Sequence, residues 1–204
     1  MGDSITAGVG GTGSNSYRPE LNRLLTEAGA VVTFVGAKKG GQFYHDGYPG
    51  ANIVQIGQKG KASLAKKPNV ITLMAGTNDT PKGAGPKAAA VRLGTLVDSL
   101  VTSLPDTVVL VSTLTPMFFE TGPGKTSTVD IFNKELPALV KSRADKGKKV
   151  GLVTLPKMDF AKGGKDTREG IHPNDSGYKK MAAAWFKGIE KAAEKNWIKD
   201  PAPV

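Results

Sequence analysis

The sequence predicts an α/β fold in which helices cover both faces of a parallel sheet. Two observations carry this expectation. Four short apolar runs rich in β-branched residues recur along the 204 residues, and longer helical stretches separate them. The runs also lack apolar–polar alternation, as strands buried on both faces should.

Taken in order, YRPELNRLLTEAG (17–29) reads as the first helix, with Gly29 as its stop. VVTFVG (31–36) reads as a strand, and ANIVQIGQKGKASLAKK (51–67) as a weaker, glycine-interrupted helix. VITLMAG (70–76) is the next strand, followed by a helix over 88–104. VVLVST (108–113) then leads to a helix over 129–147 that Gly147 ends. VGLVTL (150–155) is the last strand, and 174–196 is a strong terminal helix. PAPV closes the chain as a loose tail. No internal repeat or linker interrupts this order, so residues 1–204 are expected to form a single domain. In such a fold a strand should lead into the Gly2-Asp3-Ser4 turn. The sequence begins one residue before it, so that strand is missing or the turn is anchored another way. No leader precedes Met1, which fits a mature or trimmed chain.

The formal charge is +10. Such a balance suits an acidic polymer, whether nucleic acid, acidic polysaccharide or cell surface. The lysines, however, are spread along the chain rather than massed, which suits a solvated lysine surface equally. There is neither a basic helix nor an aromatic platform for nucleic acid. No apolar run approaches the ~20 residues that span a bilayer. The absence of cysteine excludes disulfides and thiolate chemistry. A monomer without nucleic-acid or membrane partners is expected.

In an open α/β sheet, ligands bind beyond the carboxyl ends of the strands. Three segments fall there: Gly2-Asp3-Ser4, Gly76-Thr77-Asn78-Asp79 and Glu169-Gly170-Ile171-His172-Pro173. A serine hydroxyl needs a base to become a nucleophile, and the chain has two histidines. His172 precedes Pro173, a good first-turn residue for the terminal helix, and would sit at its N-terminus facing the sheet edge. His45, in FYHDGYPG, is expected on a loop in a structural or substrate-facing role. Asn78 is either an Asx turn or an amide donor to an oxyanion. Gly50 either turns the chain or offers its N–H to the same anion.

GDSITAG, GTND and HPND in this order resemble the SGNH branch of the GDSL hydrolases. The matching positions are Ser4, Gly50, Asn78 and His172. With FVG, HDGYPG, MAGTNDT and GIHPNDSGYKKMAAAW added, the chain resembles carbohydrate esterase family three, the acetylxylan esterases, and its fungal members in particular. That resemblance implies a flavodoxin-like, three-layer α/β/α sandwich, cleavage of acetyl esters on xylan, and secretion. Ser4 would be the nucleophile and His172 the base, with the Ser4 N–H, the Gly50 N–H and the Asn78 amide as oxyanion donors. Neither a metal nor an organic cofactor is needed, though a calcium ion in a loop stays open.

Two departures stand out. The family block has Asp three residues before the histidine, where this chain has Glu169. Glutamate carries one more methylene, so its carboxylate is expected to be displaced. Asp166 or a backbone carbonyl near 166–169 are the other candidates for the Nδ1 proton. On that expectation, removing the Glu169 carboxylate costs no more than about tenfold, far less than losing His172. The second departure is Ala51, where the family often places an aromatic ring. The Asn78 and Asn174 sequons fall inside the site blocks and read as chance matches. An SGNH lipase, thioesterase or pectin acetylesterase is the runner-up. A non-catalytic polysaccharide-binding module is the reading from another class.

Overall fold

A computed structural model describes residues 1–81, 85–120 and 127–200; the PAPV tail lies outside them. Its central sheet is parallel. β3 (Val70–Leu73) pairs with β4 (Val108–Ser112), and β4 with β5 (Val150–Val153). All five residues of β4 are buried, which explains its unbroken apolar character. β1 (Lys38–Gly40) and β2 (Phe43–His45) form a separate antiparallel hairpin around Gly41 and Gln42.

The Gly2-Asp3-Ser4 turn is anchored by its own backbone. Gly2 forms parallel bridges to Gly47 on one side and to Met74 on the other. The Gly2 N–H donates to Asp46 O at 2.8 Å, and the Tyr48 N–H to Gly2 O at 2.9 Å. On the far side the Met74 N–H donates to Met1 O at 3.1 Å. Counted with these bridges, the segments lie in the spatial order 47, 2, β3, β4, β5. This is the 2-1-3-4-5 order of flavodoxin-like sheets, with its switch point between Gly2 and β3.

The helices are α1 (Ser4–Ala7), α2 (Arg18–Glu27), α3 (Ile53–Gly60), α4 (Gly85–Ser103), α5 (Thr128–Ala144) and α6 (Asp175–Glu194). α2 packs on α6, and α4 packs between α3 and α5, so two helical layers enclose the sheet. Trp185 of α6 is fully buried against Tyr17, with ring centroids 5.7 Å apart. Gly29 (φ 85°) and Gly147 (φ 74°) lie just past α2 and α5 in the left-handed region, as stops should.

Two expectations need correction. Residues 31–36 are extended but not a strand. Only Val32 and Phe34 of this run pack against the core, with Phe34 edge-on to Phe43 at 5.1 Å. Val31 and Val35 face solvent, and among the described residues the run joins no ladder. His45 ends β2 rather than lying on a loop, because the glycines at 40 and 41 allow a tight hairpin the apolar pattern did not announce. The weak helix at 51–67 is α3 followed by a tighter 3₁₀ turn over Lys61–Lys66.

The close approach at the switch point demands glycine. A Cβ on Gly47 would overlap the backbone nitrogen of Ala7 in α1. Gly47→Ala is therefore expected to cost about 1–3 kcal/mol or more, as overpacked cores do. Gly50 is also left-handed (φ 75°), but a Cβ there meets nothing within 4 Å. Gly50→Ala should cost only about 1–2 kcal/mol of backbone strain. Urea midpoints of the two variants at unchanged slope test this ordering.

Candidate active site

Ser4 is the first residue of α1 and is 9% exposed. Asp3 caps the helix, its Oδ1 accepting from the Ile5 N–H at 2.9 Å. Burial pushes the Asp3 carboxyl above its usual range, and the Ile5 N–H pulls the other way. As a first-turn donor, the Ser4 N–H has no helical acceptor and no hydrogen-bond partner among the described residues.

A four-residue helix does not hold itself. Its carbonyls are tied down from outside. Ile5 O accepts from the Ser16 hydroxyl at 2.9 Å and from the Tyr178 hydroxyl at 3.1 Å. Tyr178 also donates to Val9 O at 2.6 Å. Arg18 is buried and donates to Thr6 O, to Ala7 O at 3.4 Å and to Ser14 O at 3.1 Å. Sequence reasoning treated Arg18 and Tyr178 as ordinary helical residues. A signal was available for Arg18: a cation at a helix N-terminus opposes the macrodipole and calls for another reason to be there.

His172 approaches from the other end of the chain. Its Nε2 lies 2.9 Å from Ser4 Oγ. Its backbone carbonyl accepts from the Arg168 N–H and the Thr167 hydroxyl, both at 2.9 Å. Thr12 donates from its N–H and its hydroxyl to the Asp175 carboxylate, both at 2.8 Å, clamping the serine loop to the start of α6.

The Glu169 carboxylate contacts His172 Nδ1 through Oε1, which also accepts from the His172 N–H at 3.2 Å. The expected displacement does not occur. Gly170 turns the chain with φ 87°, and the longer glutamate side chain folds back onto the ring three residues on. Its side chain is 47% exposed, against 20% for the histidine. Asp166 is committed elsewhere: it accepts from the Asp159 N–H at 2.8 Å, the Ser176 hydroxyl at 2.9 Å and the Lys180 ammonium at 2.6 Å. Burial disfavours its charge, but Lys180 and these donors outweigh that and hold its carboxyl below the usual range. Among the described residues no backbone carbonyl takes the Nδ1 contact.

Asn78 leaves β3 at the switch point. Its Nδ2 donates one hydrogen to Ala51 O at 3.0 Å, which leaves the second for a ligand. Asp79 accepts from the Ile53 N–H at 3.0 Å and pairs with Arg92 at 3.2 Å, locking this turn to α3 and α4. The Gly50 N–H has no partner among the described residues. Ala51 is buried and presents no stacking surface. The Asn174 side chain is spent within the fold, on Gly177 N, Lys165 O and Thr167 O. A groove of about 380 Å³ opens beside His172, lined by Val9, Gly10, Gly11, Arg168 and Glu169.

A hydroxyl–imidazole–carboxylate chain is an arrangement that can carry acyl transfer. The comparisons agree. A curated multidomain esterase from Ruminococcus flavefaciens is 28% identical over 93% of this chain, which spans only 28% of that protein's length. A solved family 3 carbohydrate esterase from Clostridium thermocellum is 32% identical, covers 96% of both chains and superposes with a TM-score of 0.81. A family 3 carbohydrate esterase from Talaromyces cellulolyticus shares the fold, with a TM-score of 0.73 at 21% identity over 95% of this chain and 96% of that one. The model of the GDSL-like lipase/acylhydrolase family matches residues 1–180, and the chain belongs to that family.

Proposed function

We propose that the protein is a serine esterase that removes acetyl groups from acetylated xylan, outside the cell. The observation that carries this reading is the 2.9 Å contact between Ser4 Oγ and His172 Nε2, with Glu169 on the opposite ring nitrogen.

His172 takes the Ser4 proton as Oγ adds to the acetyl carbonyl, and Glu169 stabilises the imidazolium that forms. The negative charge on the carbonyl oxygen meets the Ser4 N–H, the Gly50 N–H and the free Asn78 amide hydrogen. Collapse expels the sugar hydroxyl, which receives its proton from His172. Water then adds to the acetyl-enzyme by the same route and releases acetate. Among the described residues, Val9 is the single apolar side chain lining the His172 groove beside two glycines, Arg168, Glu169 and His172, which favours a small acyl group over a fatty chain. Phe118 and Phe119 are partly exposed, and the Phe118 N–H donates to Gly170 O at 2.7 Å beside the histidine loop.

A panel of p-nitrophenyl esters with acetylated xylan alongside tests the reading. Activity is expected on acetate and xylan, and to fall by at least about a hundredfold from acetate to octanoate. Comparable rates on both chain lengths would move the assignment to a lipase.

Asn78→Ala should lower kcat by roughly a hundred- to a thousandfold, the effect of deleting one oxyanion donor. A tenfold loss in a folded variant would remove Asn78 from that role.

Glu169→Ala is expected to lower kcat by about a hundred- to a thousandfold with little change in KM. The loss is smaller than that of a fully buried triad acid because solvent screens a half-exposed carboxylate. Steady-state kinetics of Glu169→Ala, Glu169→Gln and His172→Ala decide this. Near-native turnover in the first two would return the site to a Ser–His dyad.

A further inference from the structure

A second groove, of about 480 Å³, lies across Val9 from the His172 groove. Its floor is shared with the site: Ala7 ends α1, and Gly47, Tyr48 and Pro49 lead directly into Gly50. Lys38, Lys39 and Lys59 line it, all exposed and none within ion-pair distance of a carboxylate among the described residues. Asp46, the acid nearest in sequence, is buried and already accepts from Tyr48, Ser63 and the Ala37 N–H.

His45 supplies an independent observation. It is 8% exposed yet forms part of this groove's wall. Its Nδ1 accepts from the Gly47 N–H at 3.0 Å, which fixes the tautomer and leaves Nε2 as an N–H donor. That Nε2 has no partner among the described residues. It lies beside Gly40 and Ser14, which line the same groove. Burial, with Arg18 adding to it, pushes the His45 imidazole down to about 4, so the ring is a neutral donor at ordinary pH. The residue is nine-tenths buried, and its Nε2–H is the polar atom it leaves open to the groove. Lys38, cross-strand from His45, and Lys59, whose ammonium lies 5.8 Å from the Tyr48 ring centroid, thus share with one N–H a space that contains no anion of the protein's own, while Lys39, 5.7 Å from the Tyr44 ring, adds charge at its rim.

We propose that this groove binds the carboxylate of a uronic acid carried by the acetylated polysaccharide, while the acetyl ester lies at Ser4. The inference rests on the esterase reading for the nature of the chain that crosses both grooves. A carboxylate on a sugar ring meets Nε2–H of His45 and the lysine ammonium groups, and the neutral part of the chain passes over Val9 and Pro49. The acetyl chemistry itself needs none of these lysines.

Binding of ligands that bear no acetyl group separates this proposal from turnover. Calorimetry compares xylotetraose, a xylotetraose bearing one glucuronate branch, and trigalacturonate, at low and at 0.5 M salt. The wild-type chain is expected to bind the branched acid about tenfold more tightly than the neutral tetraose, the sum of a few exposed charge pairs. The preference should shrink at high salt, where screening is nearly complete within a few ångströms. The triple variant Lys38→Gln, Lys39→Gln, Lys59→Gln should lose the preference while hydrolysing p-nitrophenyl acetate at the wild-type rate. Equal affinity for acidic and neutral tetraose, or a preference that survives in the triple variant, overturns the proposal. Tighter binding of trigalacturonate than of the branched xylan keeps the carboxylate subsite and reassigns its source to a galacturonan. Failure to hydrolyse any acetate ester would overturn the esterase reading alone, since these affinities need no turnover.

Discussion

Gly2 lies between two parallel neighbours, hydrogen-bonded to Asp46 and Tyr48 on one side, while Met1 accepts from Met74 on the other. There is no room for a side chain here, because a Cβ on Gly2 would strike Met74 O and the Thr6 hydroxyl. The rest of the site inherits its geometry from this packing. Gly47 leads to Gly50, Met74 leads to Asn78, and Gly2 leads to Ser4, so three segments of the candidate site leave the sheet from adjacent positions. Their backbones are thus placed by pairing, which varies little, rather than by long side chains.

Carboxylates near the site divide cleanly by occupation. Asp3 caps α1, Asp46 gathers Tyr48 and Ser63, Asp79 joins α3 to Arg92, and Asp166 takes three donors under α6. Each is buried and held by the fold. Glu169 alone combines partial exposure with contact to an imidazole. A buried acid is expensive unless its hydrogen bonds are met, and the four aspartates are engaged as scaffold. Asp175, exposed, is engaged by Thr12, whereas Glu169 lies against the His172 ring.

The parallel sheet was legible because β3, β4 and β5 are continuous apolar runs, and the helices because their ends carry glycine at 29 and 147. Ser4 and His172 were singled out by the order of GDSITAG, GTND and HPND rather than by either residue alone, since a serine in a turn or a histidine ahead of Pro173 is as readily structural. Their 2.9 Å contact was not legible, since nothing local to either residue encodes a partner 168 positions away. The run at 31–36 misled because apolar residues alone do not show whether a neighbouring backbone is present to pair with. The hairpin at 38–45 was hidden for the converse reason: Lys38, Lys39 and two glycines look like a loop, yet backbone hydrogen bonds need no apolar side chain. Glu169 was misjudged by counting methylenes without the turn at Gly170 that takes up the extra length.

Glu169 and His172 belong to one turn, whereas Ser4 belongs to the opposite end of the chain. The imidazole–carboxylate contact is therefore local and the imidazole–hydroxyl contact is remote. Closing so long a loop is entropically late in folding, because its cost precedes the contacts that reward it. Tyr178 on Ile5 and Val9, and Asp175 on Thr12, are the fasteners that draw the two ends together. Recovered turnover after denaturation thus marks the joining of the chain's ends, a stricter criterion than recovered helix content.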